Sequence, residues 1–132
     1  MIAAHFHNSR ARWIRTLGEE HGIRPPSLVN PRTVRRPALL AALDRSGRGM
    51  ESILELGIQK GGQVPPSKQY VWRNLPLDVG HVLTYFVAHE AHHRGQLIML
   101  ARAAGHRLPR EVTDGIWQWQ RLSRERQPVP RS

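Results

Sequence analysis

LDVGHVLTYFVAHEAHHRGQLIMLARAA, residues 77–104, is the stretch on which the fold turns. Its apolar residues recur at helical spacing, Asp78 stands near its start, Gly105 just past its end and Pro109 beyond. The pattern predicts one long helix from about Leu77 to Ala104. Inside it lies VAHEAHHRGQL, residues 87–97. Helical residues are separated by about 100°, so His89 and His93 differ by about 40° and one turn of rise, and both imidazoles can reach one ion. His92, about 60° to the other side of His89, is a less natural substitute for His93. The same face carries Val82, Phe86, Gln96, Leu97 and Leu100, so it looks inward. An imidazole pair there needs partners, because a buried ring nitrogen left unpaired costs free energy. Hydrogen bonds at the edge of a core are one answer. A divalent metal is the better one for a pair spaced i and i+4, and two ligands from one helix require a third from elsewhere.

Outward from this helix the chain reads as helices joined by loops. Ile2, Phe6, Trp13, Ile14 and Leu17 predict a helix over residues 1–18, with Gly18 as its stop. GIRPPSLVNPRTVRRP, residues 22–37, holds four prolines and forms a flexible connector. A second helix is expected from about Pro37 to Lys60, with Leu39, Leu40, Leu43, Met50, Ile53, Leu54 and Ile58 as its apolar series, weakened at Gly47 and Gly49. The loop of residues 62–76 carries Tyr70-Val71-Trp72, which is expected either to pair briefly as a strand or simply to pack. A last aromatic segment, Val112 to about Arg124, has Trp117 and Trp119 placed to cap the core. Without a run of alternating strands, the architecture is an all-α bundle, one domain over residues 1–124 with a flexible tail at 125–132.

Composition narrows the class. The 132 residues contain no cysteine, which excludes disulfides, thiolate ligands and a protein-borne thiol nucleophile. No apolar run is long enough for a membrane span and the N-terminus lacks the order of a secretory signal, so a cytoplasmic protein is expected. The net charge is +10, carried almost wholly by arginine. The basic residues are spread along the chain without interleaved aromatics, so a nucleic-acid partner is disfavoured.

For the third ligand, His81 lies about 12 Å along the axis from His89, too far for one ion. His106 follows the helix end and His21 sits beside the connector. AHFHN, residues 4–8, remains. His5 lies on the side of Ile2 and Trp13 and His7 is about 200° away, so only one faces the core. His5 is preferred, and His7 stands as the alternative.

The segment HEAHHRGQLIMLARAAGHRLPREVTDGIWQW, residues 89–119, resembles the C-terminal helices of the DinB-like proteins: a His-x3-His helix, Arg-Gly-Gln, a Gly-His-x-Leu-Pro turn and an aromatic close. AAHFHNSRARW, residues 3–13, is similar to the helix that supplies that family's first ligand. The resemblance implies a four-helix up-down bundle with a three-histidine site at His5, His89 and His93, holding zinc or nickel. It also implies kinship with S-transferases that use low-molecular-weight thiols. The family's first helix is missing or short here, which would leave one flank of the bundle to be covered by a partner chain or by the last segment, unless the true start lies upstream; a homodimer is expected.

The expected activity is that of a thiol-dependent S-transferase or a metal-dependent hydrolase, with the nucleophile supplied from outside the chain. Glu90 is a candidate catalytic residue that orients His93 or a ligand, Arg94 a candidate anchor for an anionic substrate, and Gln96 a hydrogen-bond partner behind the ligands. Two rivals are set against this. His89-Glu90-Ala91-His92-His93 is a literal H-E-x-x-H, the zinc metallopeptidase signature, although a peptidase also needs a strand to align its substrate. The other rival is a basic, non-enzymatic, nucleic-acid-associated helical protein.

Overall fold

The computed structural model describes residues 2–71, 73–114 and 117–118. Among the described residues there are four α-helices, α1 (Ile2–Gly18), α2 (Arg36–Gln59), α3 (Val79–Ala103) and α4 (Arg110–Thr113), with a 3-10 turn at Glu19–His21 after α1. The described residues contain no strand; the nearest approach is a single bridge between Gln63 and Asp78. Trp72, Trp119, the C-terminal part of the predicted last aromatic segment and the predicted tail lie outside the described residues. The chain divides into two compact units, Met1–Arg94 and Gly95–Ser132.

In the first unit, α1 packs against α2 through small side chains. Ala4, Ala11 and Ile14 of α1 and Ala42, Ser46, Met50 and Ile53 of α2 are buried. Gly49 makes this approach possible: a Cβ there would stand 2.5 Å from Cδ1 of Ile14. The glycine expected to weaken α2 is therefore where a ridge of α1 enters it, and the helix runs unbroken. Leu40 and Ile58, assigned to the apolar face of α2, are instead 55% and 66% exposed. The buried face is the one with the smaller residues, because helices that approach closely have no room for leucine between them.

The core continues from Ile14 and Leu17 to Ile53, Val64, Tyr70, Val82 and Phe86, so α1, α2, the loop of residues 62–76 and the start of α3 share one apolar cluster. Trp13 meets Tyr70, Tyr85 and Phe86 at ring-centroid distances of 6.2, 5.2 and 5.8 Å. Tyr70 packs rather than pairing as a strand, and its hydroxyl bonds both the amide and the carbonyl of Leu75. Backbone bonds from Val64 to Leu77 (2.8 Å) and from Val79 to Gly62 (2.9 Å) tie the two ends of the loop together. Asp78 then caps α3 by accepting from the amide of His81 at 3.1 Å.

The proline-rich connector is held, contrary to the expectation of a flexible one. It runs back along α1, where the side chain of Asn8 donates to the carbonyl of Val29 and accepts from its amide, both at 2.9 Å. These bonds replace the backbone pairing that prolines deny the segment.

The second unit begins within α3 at Gly95. The helix stops where His106 donates to the carbonyl of Ala101 at 2.8 Å across Gly105, whose φ is +80°. Leu100, placed on the inward face by its spacing, is 58% exposed, and Trp117, expected to cap the core, is 69% exposed.

Candidate metal centre

α1 and α3 bring His5, His89 and His93 together. One ring nitrogen from each lies within 4.8 Å of the others, and they form the one group of this kind among the described residues. Ring centroids are 5.5 Å apart for His5 and His89, 4.6 Å for His5 and His93, and 4.7 Å for His89 and His93. The pair on α3 is spaced as its one-turn separation predicts. Tyr85, one turn before His89, stacks on its ring with planes 14° apart, and Phe6 meets His93 edge-on at 5.8 Å. Aromatic neighbours therefore orient two of the three imidazoles.

His5 and His7 divide as their separation around α1 requires, but burial is reversed from expectation. His7 is fully buried, while His5 is exposed and faces the histidines of α3. Nε2 of His7 is 2.9 Å from the carbonyl of Ser27, to which it donates, and its Nδ1 has no partner among the described residues. His7 fastens the connector to α1. His92 is exposed with its ring 5.0 Å from that of His93, and His81 pairs with Asp78 at 2.5 Å. His21 and His106 are exposed.

Burial and neighbouring charge disfavour the protonated form of two of the three histidines. Desolvation, then the neighbouring His93 and then Arg12 and the N-terminus hold the pKa of His5 below its ordinary value of 6.5. Desolvation and the neighbouring His93 and His5 do the same for His89, against an opposing pull from Glu90. For His5 and His89 burial and the neighbouring rings therefore favour the neutral, lone-pair-bearing form. A proton taken up more weakly in the folded state than in the unfolded one means that stability is complete above pH 6.5 and declines as pH falls through the lowered values. The metal-free protein should thus show a melting temperature that drops from about pH 6.5 downward, and His89→Gln should flatten that drop. An acid limb of equal steepness in the variant would contradict this assignment.

Glu90 points elsewhere. Its two carboxylate oxygens receive Nε and Nη2 of Arg10 at 2.5 and 2.6 Å, in a side-on pair between residues that are 21% (Arg10) and 32% (Glu90) exposed. Arg10 also donates to the carbonyl of Leu43 at 3.3 Å, so one side chain of α1 bonds both α2 and α3. Nothing in the sequence singled out Arg10, since its partner is 80 positions away and the chain is rich in arginine. Arg94 is exposed, and Gln96 belongs to the second unit, where its side chain is partly buried.

An all-α architecture with a three-histidine group shared by its first and third helices defines a class of helical metal-site proteins. The chain belongs to the DinB family, whose match covers residues 2–122. Neither a curated protein nor a solved structure gives a match.

The donor set fits a divalent ion. Nitrogens about 2.0–2.1 Å from zinc lie roughly 3.4 Å apart, a spacing that small side-chain rotations supply from the one observed. With Glu90 engaged by Arg10, the donors are all nitrogen, which suits zinc, nickel or copper better than magnesium or calcium. No described helix is long and apolar enough to cross a membrane.

Proposed function

We propose that the protein holds one divalent ion, zinc or nickel, through His5, His89 and His93 and works as a thiol-dependent S-transferase, or as a hydrolase when water replaces the thiol. The convergence of three imidazoles from two helices carries this reading. When bound, the ion supplies Lewis acidity that makes a thiol or water nucleophilic at neutral pH. The chain's own part is to hold and orient. His89 is fixed by Tyr85 and His93 by Phe6, while the exposed His5 leaves the site open to a small-molecule thiol and its co-substrate. The absence of cysteine from the chain supports an external nucleophile. Arg94, exposed beside His93, is assigned to an anionic group of the substrate, and Glu90 to positioning α3 through Arg10.

The peptidase reading requires Glu90 to be available to water and a strand to align the substrate. Glu90 is bonded at both oxygens, and no strand exists among the described residues. Metal analysis of untagged protein after exposure to zinc, nickel and manganese tests the proposal. About one ion per chain is expected, with a site affinity in the micromolar range or tighter. Less than about 0.2 ion would overturn it, and peptide cleavage abolished in Glu90→Gln would reinstate the peptidase.

A homodimer forms part of the same proposal. Leu83 and Val87, one turn apart on α3, are 47% and 61% exposed, an apolar face suited to a second copy. Light scattering should give twice the 15.1 kDa chain mass, and Val87→Glu should give the chain mass itself. A wild-type protein that remains monomeric at high concentration would exclude the dimer.

A further inference from the structure

On the side of α1 served by His7 lies a second concavity, which the histidine site does not use. The chain turns at Gly22 and returns along α1, pinned where His7 donates to the carbonyl of Ser27. Between this connector and α2 runs an open groove of about 770 Å³, lined by Arg24, Pro25, Ser27, Arg45, Arg48 and Ser52. Gly49 lies in its wall.

Three guanidinium groups from two elements border one cleft. Arg48 pairs with Asp44 at 2.5 Å, but both side chains are more than 60% exposed, so the contact is weak and exchangeable. Among the described residues Arg24 and Arg45 have neither a hydrogen bond nor an ion pair. Three cations against the single carboxylate of Asp44 leave two positive charges, the complement of a phosphate monoester near neutral pH. A cleft lined by one sign of charge concentrates counter-ions, and the planar fork of arginine matches phosphate oxygens in pairs. The hydroxyl of Ser27 adds a polar contact, while Ile23, Pro25 and Pro26 offer an apolar wall.

We propose that this groove binds a small phosphorylated organic molecule, its phosphate among Arg24, Arg45 and Arg48 and its organic part against Ile23 and the two prolines. The inference is independent of the metal reading, since it uses neither the three histidines nor an ion.

Calorimetric titration of the untagged, full-length protein at fixed ionic strength tests it, with adenosine diphosphate, inorganic phosphate, adenosine and a short DNA duplex as probes. The diphosphate should bind saturably at one site with Kd of about 0.1 mM, phosphate more weakly, and adenosine not at all. Arg24→Gln with Arg45→Gln should weaken the diphosphate at least about tenfold at an unchanged circular dichroism spectrum. Arg102→Gln with Arg107→Gln, which removes the same charge elsewhere, should leave it unchanged. Equal weakening in both double variants would reduce the effect to net charge and overturn the proposal. So would the absence of saturable binding up to about 5 mM, or a duplex that binds more tightly and that the diphosphate displaces only as added salt does.

Discussion

His89→Ala is expected to lower the metal content from about one ion per chain to below about 0.1, with zinc affinity falling at least about 1,000-fold, near 4 kcal/mol. His89 is one of the three converging imidazoles, its ring 5.5 Å from that of His5 and 4.7 Å from that of His93, and Tyr85 holds it by stacking. Two remaining imidazoles leave an ion with too few protein ligands to compete with water and buffer. His93→Ala and His5→Ala should act in the same direction. His5→Ala should be the mildest on folding, because His5 is exposed while the α3 pair is partly buried. His92→Ala provides the discriminating control. It removes an imidazole whose ring is 5.0 Å from that of His93 but which is not among the converging three, so it should retain its ion. Equal metal content in His89→Ala and wild type would end the three-histidine assignment, and loss in His92→Ala alone would move the site.

The second large effect is expected at Arg10. Arg10→Met removes the two short bonds to Glu90 and the bond to Leu43, and leaves a carboxylate two-thirds shielded from solvent without its cation. Charge-assisted bonds of this kind contribute about 1.5–3 kcal/mol when one partner is removed, and residual exposure places this pair toward the lower half of that range. A loss of about 2 kcal/mol, near 8 °C in melting temperature, should follow. Glu90→Gln should cost less, because an amide still accepts from Arg10. The double variant should recover about 1 kcal/mol of the summed single losses, the signature of direct coupling. Since Glu90 neighbours His89 on α3, loosening the pair should also weaken zinc about tenfold in protein that remains folded at the assay temperature. Additive losses with unchanged metal affinity would show that Arg10 and Glu90 are not coupled and that the pair does not support the histidine site.

Much of the architecture was legible in the chain. The span of α3, with Asp78 before it and Gly105 after it, follows from side-chain periodicity and caps, which are local. So does the i, i+4 placement of His89 and His93. The start of α2 at a proline and the stop of α1 at Gly18 are of the same kind. Faces were read less well. Hydrophobic periodicity points Leu40, Ile58 and Leu100 inward, yet they are exposed, whereas Ala4, Ala11, Ser46 and Gly49 mark the real contact between α1 and α2. A periodicity that weights residues by size overlooks a contact made by small ones.

The sequence by itself determined the helical class, the i, i+4 histidine pair on α3, the lack of any cysteine nucleophile and the family resemblance. The tertiary structure decided which side of α1 meets that pair. α1 carries a histidine on each of two nearly opposite faces, so its own pattern permits either rotation. The approach of Ile14 to Gly49, the grip of Asn8 on Val29 and the bond from Arg10 to Glu90 fix one of them. That rotation turns His5 toward His89 and His93 and buries His7 under the connector. Each of these contacts joins residues at least 20 positions apart, and no local periodicity encodes them.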